Sequence, residues 1–204
     1  MDKKKLALML SKLKSFESAD TRLEQYPTES EIASDVLWIA FMSGDIKGKS
    51  VADFGCGPGV FGIGSLLLGA KKAVFVDVDK KAIDVARSNL KLIEREVGRK
   101  FNAVFRNENV KDTKLRCDVV IQNPPFGVQA SHSDKIFLIK AMESAPVAYS
   151  YHKLSTRDFV EKTVGDHGFR AKLVARFNFP LRSTMWFHIK KVHFVDVGCW
   201  KISM

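Results

Sequence analysis

Short runs of consecutive apolar residues alternate along the chain with stretches in which apolar residues recur at every third or fourth position. Continuous apolar runs are typical of strands buried on both faces, and the recurring pattern is typical of helices. The runs cover residues 50–54, 73–78, 103–105, 117–122, 147–151, 172–177 and 192–197. Their alternation with helices predicts an α/β fold with a doubly wound, seven-stranded and mainly parallel sheet. Because no helical stretch separates the last two runs, we expect them to form a C-terminal antiparallel hairpin.

Capping signals indicate where the first helices begin and end. The clearest helical pattern follows Asp79, a favoured N-cap, and ends at Gly98, a favoured helix terminator. An earlier helix is expected after Thr28 and Glu31, whose spacing is that of a capping box. These two helices are therefore placed before the first predicted strand and after the second.

Two shorter helices are predicted in the second half of the chain. One starts after Asp134. The other starts after Ser155, where Asp158 repeats the capping-box spacing. These helices supply the second covering layer that a mainly parallel sheet requires.

The composition is that of a globular domain. The chain has 204 residues, of which 46% are apolar and 27% are charged. These values suit one domain over residues 1–204 with a short N-terminal helical extension. No apolar run approaches the roughly 18–20 residues that cross a bilayer, and the lysine-rich N-terminus lacks the pattern of a signal peptide. We therefore expect a cytoplasmic protein without membrane association.

The positions of cysteine and histidine bear on redox state and metal binding. Cys56, Cys117 and Cys199 lie far apart, which is typical of reduced thiols and not of a disulfide framework. The five histidines show no metal-ligand spacing with cysteine or carboxylate residues. We therefore predict no protein-bound metal.

Positive charge is concentrated towards the two ends of the sequence. The formal net charge is +10. Residues 170–204 contain seven cationic residues and one acidic residue, and residues 1–22 contain six and three. Such charge favours a polyanionic partner, because neutralising phosphates releases counterions. A generally basic, solvated surface has the same composition, so charge alone leaves the partner open.

A glycine-rich turn follows the first predicted strand. Gly55, Gly57 and Gly59 allow the backbone to turn sharply and a ligand to approach without interference from a Cβ atom. Together with Gly62, the last two also satisfy the GxGxxG pattern. The glycines alone therefore predict a nucleotide-type cofactor without saying which one.

Two neighbours of this turn favour S-adenosylmethionine. Asp53 can engage a cationic methionine group directly or through water, and Pro58 removes an N–H that a pyrophosphate site would use. Asp77 ends the second predicted strand, twenty residues after Gly57, where an acid accepts hydrogen bonds from ribose hydroxyls. Asp77 and the adjacent Val78 are candidate contacts to a nucleoside.

The loop after the third predicted strand is a candidate for contact with an adenine ring. It reads Asn107-Glu108-Asn109-Val110. The loop is ambiguous, and we favour Asn109 over Glu108 as the polar contact.

The tetrad Asn123-Pro124-Pro125-Phe126 follows the fourth predicted strand directly, at the edge where ligands bind in such sheets. The two prolines hold the backbone extended and rigid. The Asn123 side-chain carbonyl and the Pro124 main-chain carbonyl can then converge on one amino group and turn its lone pair towards a methyl donor. Phe126 is expected to stack on a planar acceptor such as an extruded nucleobase. We predict these four residues to be catalytic.

With these residues in place, the chain resembles the methyltransferase-like-five family of S-adenosylmethionine-dependent ribosomal RNA N6-adenine methyltransferases, in its archaeal form. The resemblance extends over nearly the whole chain. The tetrad is common to many amino-methyltransferases, whereas two other segments are much narrower. Those two are Gln25-Tyr26-Pro27-Thr28 and His152-Lys153-Leu154-Ser155-Thr156-Arg157.

The resemblance implies a class I, Rossmann-like methyltransferase fold and a set of cofactor contacts. The family usually has aspartate where Asn109 aligns, and an amide can still accept a hydrogen bond from adenine. Asn123 is expected to contact both the cofactor and the target amine. The full set of expected cofactor contacts is Gln25, Tyr26, Thr28, Asp53, Gly55, Gly57, Pro58, Val60, Asp77, Val78, Asn109, Val110 and Asn123.

The resemblance also implies two kinds of partner. One is ribosomal RNA, and the other is a small zinc-binding activator protein that adds a strand to an edge of the sheet. The residues that we expect to contact RNA are Lys153, Arg157, Arg182, Lys190 and Lys191.

Other functions fit parts of the sequence. A protein glutamine methyltransferase would share the tetrad, but such enzymes usually have tyrosine at the Phe126 position and a longer N-terminal substrate domain. A DNA adenine methyltransferase would need a separate target-recognition domain. A catalytically silent RNA-binding module would not need convergent acceptors, and an NAD-linked oxidoreductase would share only the glycine turn and Asp77. We expect methylation of adenine N6 in RNA.

Overall fold

A single seven-stranded sheet organises the chain in the computed structural model, which describes residues 1–15, 28–125, 133–182 and 192–204. The strands are β1 (Ser50–Phe54), β2 (Lys72–Asp77), β3 (Ala103–Asn107), β4 (Val119–Gln122), β5 (Val147–Lys153), β6 (Arg170–Arg182) and β7 (Val192–Ser203). Their order is β3-β2-β1-β4-β5-β7-β6. The first five strands pair in parallel, and β7 pairs antiparallel with both β5 and β6. The predicted sheet and its C-terminal hairpin are confirmed.

The last two strands are longer than the apolar pattern predicts. The apolar run in β7 stops at Val197, but the strand continues to Ser203. This extension has partners on both sides, since β5 and β6 flank it, so every residue added gains ladder hydrogen bonds. Pairing with two neighbours therefore outweighs the weaker strand signal of Gly198 and Lys201.

Six helices and two short 3₁₀ turns accompany the strands in the described part of the chain. The helices are α1 (Lys3–Leu10), α2 (Ser30–Met42), α3 (Val60–Leu67), α4 (Lys80–Val97), α5 (Ser133–Ser144) and α6 (Arg157–Asp166), and the turns are Val110–Asp112 and Leu154–Thr156. The predicted ends of α4 are confirmed. Asp79 accepts a hydrogen bond from the Lys81 amide, and Gly98 closes the helix with a φ of 68°.

Both predicted capping boxes are wrong. The N-cap of α2 is Glu29, and its side chain makes no capping bond. Thr28 lies one residue too early to cap the helix, and its hydroxyl accepts a hydrogen bond from a distant asparagine instead. The N-cap of α6 is Thr156 and not Ser155, because the 3₁₀ turn in front of this helix shifts its start along the chain.

Each face of the sheet is covered by its own hydrophobic core. Helices α1, α2, α3 and α4 pack on one face around residues such as Leu37 and Phe75. Helices α5 and α6 pack on the other face around residues such as Leu138 and Trp200. Neighbouring residues of β1 point to opposite cores, with Val51 in the first and Ala52 in the second. This two-sided burial explains why the parallel strands are continuous apolar runs.

The contact between Gly62 of α3 and Phe75 of β2 sets how closely α3 approaches the sheet. A Cβ atom at position 62 would lie 2.3 Å from the Phe75 ring. The same glycine donates its amide hydrogen to Asp53 at 2.8 Å. The third glycine of the GxGxxG pattern therefore serves helix–sheet packing.

In the ranges that the structure describes, no helix is both long enough and apolar enough to cross a membrane. The same ranges contain no group of three or more histidine, cysteine, aspartate or glutamate side chains arranged to hold a metal ion. Cys56, Cys117 and Cys199 are all free thiols. The absence of a protein-bound metal stays a prediction.

Replacement of Gly62 by alanine tests the close packing of α3. We expect Gly62→Ala to lower the free energy of unfolding by about 1–3 kcal/mol, because the added methyl group overlaps the Phe75 ring. Gly165→Ala is the matched control, since Gly165 lies in α6 with open space around it. Urea denaturation should show the control unchanged or stabilised. Equal unfolding midpoints for the two variants would contradict the packing argument.

Candidate active site

The glycine turn lies at the carboxyl end of β1, between that strand and α3. Gly55, Gly57 and Gly59 have φ angles of 63°, 51° and 88°, which are left-handed conformations that disfavour other residues. The Cys56 amide donates to the Val76 carbonyl of β2 at 3.0 Å. The turn is therefore fixed against the neighbouring strand.

Asp53 lies beneath the turn and is 1% exposed. Its Oδ2 accepts a hydrogen bond from the Gly62 amide at 2.8 Å, whereas its Oδ1 is buried and has no partner in the ranges that the structure describes. Burial raises the pKa of this carboxyl group well above its usual range, and the nearby Asp77 raises it further. An unpartnered carboxylate oxygen is costly in this setting, and a cationic or hydrogen-bond-donating ligand would lower that cost. The contact of Asp53 with a cationic methionine group, directly or through water, stays a prediction.

Asp77 ends β2 directly beside the turn. Its Oδ2 accepts from the Gly57 amide at 2.8 Å, and its Oδ1 accepts from the Asp79 amide at 2.9 Å. Burial raises the pKa of Asp77, although these two amides oppose the rise. Each carboxylate oxygen keeps a second lone pair, so the residue can still accept bonds from a ribose diol. Val78 beside it is 53% exposed, which is unusual for valine and suits an apolar contact to a nucleoside.

The loop after β3 matches the predicted adenine contact only in part. Asn109 is exposed, and its side-chain oxygen accepts from the Lys111 amide at 3.0 Å. The side chain of Val110 is 3% exposed and packs in a core, so a ligand could reach only its backbone. Asn107 was not singled out for a role, yet its amide donates to the carbonyls of both Asp77 and Val78. It holds the end of β2 in place.

Asn123 has its two amide atoms in different states. Its Nδ2 donates to the Thr28 hydroxyl at 3.0 Å, and its Oδ1 is buried with no partner among the described residues. Thr28 therefore commits the donor end of the amide and leaves the carbonyl end as a free acceptor. Pro124 is buried and Pro125 is half-buried, in keeping with a rigid segment after β4. The sequence does not reveal this bond, because the two residues lie 95 positions apart.

A chain of buried polar side chains lies next to the tetrad. Gln122 donates to the Ser150 hydroxyl at 2.9 Å, and that hydroxyl lies 2.7 Å from His152 Nε2. Burial lowers the pKa of His152 to about 3, so the imidazole is neutral at physiological pH. Gln122 and Ser150 are register partners on β4 and β5. In the sequence, His152 stands out only as part of the segment shared with the family. Its hydrogen-bond network can be identified only once the register of the sheet is known.

A cavity of about 330 Å³ brings three predicted cofactor residues together. Thr28, Pro58 and Val60 line it, together with residues at the end of the N-terminal segment, such as Lys14 and Ser15. The cavity therefore opens between the glycine turn and the start of α2. Asp53 and Asp77 do not line this cavity, and each is tied to the turn or to the helix after it by a hydrogen bond, from Gly62 and from Gly57 respectively.

The predicted RNA contacts are only partly described. Lys153 is half-buried at the end of β5, and exposed Arg157 forms an ion pair with Glu161 at 2.7 Å. Arg182 ends β6 and is described by its backbone alone. The other predictions that lie outside the described residues are Gln25, Tyr26, Phe126, Lys190 and Lys191.

Known proteins resemble this chain over nearly its whole length. The rRNA N(6)-adenosine-methyltransferase METTL5 of Danio rerio is 34% identical over 205 residues, which cover 94% of this chain and 93% of that protein. The Drosophila melanogaster Mettl5 protein is 32% identical over 216 residues, which cover 98% and 96%. The chain belongs to the METTL5 family. The predicted resemblance is confirmed.

A solved structure and a family model agree with membership of the METTL5 family. A candidate RNA methyltransferase from Pyrococcus horikoshii, PH1948, is 42% identical and superposes with a TM-score of 0.88, covering 100% of this chain and 98% of that one. The model of ribosomal protein L11 methyltransferase (PrmA) matches residues 38–124. That stretch runs from α2 to the tetrad and contains the glycine turn, so PrmA and METTL5 proteins share this part of the methyltransferase fold.

The buried carboxyl group of Asp53 predicts a pH-dependent stability. Its pKa is raised in the folded state, so the folded protein favours the protonated form and is destabilised as the pH rises above the unfolded-state pKa of about 3.9. Asp53→Asn keeps an acceptor for Gly62 and removes the charge. We expect the free energy of unfolding of the variant to exceed that of the parent by about 1–3 kcal/mol at pH 8. The difference should shrink towards pH 4.

Urea denaturation at pH 8, 6 and 4 measures this difference. Asp118→Asn is the matched control, because Ser50 hydrogen bonds lower the pKa of Asp118 and the sign of the effect should reverse. If Asp53→Asn is less stable than the parent at pH 8, the ionised carboxylate is stabilised by its surroundings and the argument is wrong.

Proposed function

We propose that the chain is an S-adenosylmethionine-dependent methyltransferase that modifies adenine N6 in RNA, with ribosomal RNA as its substrate. The observation that carries the proposal is the state of Asn123, whose Nδ2 is held by Thr28 while its Oδ1 is a buried acceptor to which no described residue donates. Its METTL5 relatives are named as rRNA N(6)-adenosine-methyltransferases, which supports this substrate. A free acceptor at the end of β4 suits an amine.

The residues around the glycine turn fit the cofactor. Asp77 and Val78 would hold the ribose and the adjoining face of the nucleoside, and Asp53 would offset the positive charge of the methionine end. S-adenosylmethionine supplies an electrophilic methyl group on a sulfonium. The remaining residues that would line it are Thr28, Gly55, Gly57, Pro58, Val60, Asn109, the backbone of Val110 and Asn123, with Gln25 and Tyr26 from the family resemblance.

The chain's own contribution to the chemistry is the placement of the target amine. The Asn123 side-chain carbonyl and the Pro124 main-chain carbonyl would each accept one N–H of the adenine N6 group. Bonds to both hydrogens draw the nitrogen lone pair out of conjugation and direct it away from the two carbonyls. The alkylated nitrogen is acidic and loses its extra proton to water, so no strong base is required. Pro125 would hold this segment rigid, and Phe126 would stack on the extruded base.

Basic residues on one side of the tetrad would hold the RNA backbone. Lys153 ends β5, Arg157 begins α6, and exposed Arg176 lies on β6 in register with Gly198. We propose Arg182, Lys190 and Lys191 as further contacts. Contacts of this kind make affinity fall as salt rises, because bound counterions are released.

The family resemblance further supports an activator protein on the sheet. Among the described strands, β3 lies at an edge of the sheet and pairs with β2 alone, which favours strand addition at its outer side. Arg87 lies over the Phe105 ring at 4.5 Å, so a partner at this edge would meet positive charge as well as an aromatic surface. We propose a small zinc-binding protein as this partner, and we propose that residues 1–204 act as one cytoplasmic domain.

Loss of the Asn123 amide tests the proposed reaction. We expect Asn123→Ala to lower kcat by about 10²–10³-fold, because a preorganised acceptor is lost, while the dissociation constant for RNA changes by less than about twofold. Asn102→Ala is the matched control, since Asn102 is an exposed asparagine before β3. The measurement is mass-spectrometric detection of N6-methyladenosine in ribosomal RNA treated with cofactor and enzyme.

Three results would contradict the proposal. They are methylation of DNA or protein alone by the parent, an unchanged kcat for Asn123→Ala, and a parent that binds RNA without turnover. The last result would identify a non-catalytic RNA-binding module.

The hydroxyl of Thr28 tests how the asparagine is oriented. We expect Thr28→Val to lower kcat by about tenfold, because loss of one hydrogen bond of about 1.4 kcal/mol frees the amide to rotate. Thr28→Ser keeps an oxygen for Asn123 Nδ2 and should retain activity within about threefold. Steady-state kinetics at saturating cofactor separate this effect from cofactor affinity. A parent-like kcat for Thr28→Val, with the loss confined to Thr28→Ser, would show that the methyl group, and not the hydroxyl, is what matters.

A further inference from the structure

Asn89 is a buried polar residue within the apolar stripe of α4. It is 1% exposed and stands between Ala86 and Leu90, which belong to the core below α4. A buried amide is costly unless its hydrogen bonds are made. An asparagine at this position therefore needs specific partners.

Both N–H groups of the Asn89 side chain donate to backbone carbonyls, and these carbonyls belong to two separate segments. Its Nδ2 donates to the carbonyl of Lys14 and to the carbonyl of Pro58, each at 2.9 Å. Its Oδ1 accepts from the Lys14 amide, also at 2.9 Å. The side chain thus forms two hydrogen bonds with the backbone of Lys14, as a neighbouring strand would. A third hydrogen bond joins it to the backbone of the glycine turn.

Both of these segments line the cavity described above. Lys14 and Ser15 contribute from the N-terminal side of the chain, and Pro58 and Val60 contribute from the glycine turn and the start of α3. Thr28 lines the same cavity and is bonded to Asn123. The two asparagines therefore anchor residues 14 and 28 separately, one to the glycine turn and the other to the tetrad.

We infer that Asn89 is a positioning residue for the cofactor, which sets the distance between the N-terminal segment and the glycine turn. The inference rests on the proposed function, since it assigns the cavity at Pro58 and Val60 to the methionine end of S-adenosylmethionine. Asn89 touches neither the cofactor nor the substrate, and acts only through the backbone of Lys14 and Pro58. The chemical step itself does not depend on it.

Removal of the Asn89 amide should weaken cofactor binding and leave the chemistry intact. We expect Asn89→Ala and Asn89→Asp each to raise the dissociation constant for S-adenosylmethionine by about tenfold, measured by isothermal titration calorimetry at 25 °C on the full chain. The Asp variant has nearly the same shape and loses both donated bonds. The KM for the cofactor should rise in parallel, and kcat at saturating cofactor should stay within about threefold of the parent.

A purely structural role for Asn89 predicts a different result. Leu90→Ala is the matched control, because Leu90 is the next residue of α4, is also buried, and packs in the same core without polar contacts. This control should lower the unfolding temperature but leave the dissociation constant for S-adenosylmethionine unchanged. If both Asn89 variants bind S-adenosylmethionine as tightly as the parent, or no more weakly than the Leu90→Ala control, the inference is wrong. A parent that does not bind S-adenosylmethionine overturns the proposed function instead.

Discussion

The hydrogen bond from Asn123 Nδ2 to the Thr28 hydroxyl is the contact on which the candidate site depends. An amide presents a donor and an acceptor of nearly equal size, and either end can face a substrate. With Nδ2 committed to Thr28, the carbonyl is the end left for a target amine. The same bond ties the start of α2 to the end of β4. One interaction therefore sets both the polarity of the acceptor and the position of the segment that carries Thr28.

At the carboxyl edge of the sheet, this acceptor lies among other buried polar groups that lower the stability of the fold. Asp53 Oδ1, Asn123 Oδ1 and Gln122 Oε1 are all buried without a partner in the described part of the chain. Each of them weakens the fold relative to a satisfied or apolar side chain. Their concentration around one glycine turn and one strand end is typical of a binding site, where ligand contacts offset the cost. The amino edge of the sheet differs, since Asp45 there accepts from both Tyr149 and Lys201.

The sequence predicted those parts of the molecule that depend on local pattern. Buried parallel strands, the glycine turn and the ends of α4 are encoded by neighbouring residues, and all were found where expected. The errors concern residues with distant partners. Thr28 has an excellent local signal for a helix cap, but a partner 95 residues away takes its hydroxyl. The contact of Val110 with adenine stays a prediction, but its side chain is in the core and leaves only the backbone for that contact. No local pattern encodes either outcome.

The same reasoning explains why the N-terminal segment belongs to the site although it precedes the sheet in the chain. Leu6 and Leu10 of α1 are fully or almost fully buried in the core beneath α2 and α3, so this helix is fixed by apolar contact. Apolar contact alone tolerates sliding, because it has little directional preference. Asn89 adds direction, since its three bonds to Lys14 and Pro58 fix the backbone at one place. Apolar burial thus brings α1 to the proposed cofactor cavity, and polar contacts from two asparagines fix the positions of Lys14 and Thr28.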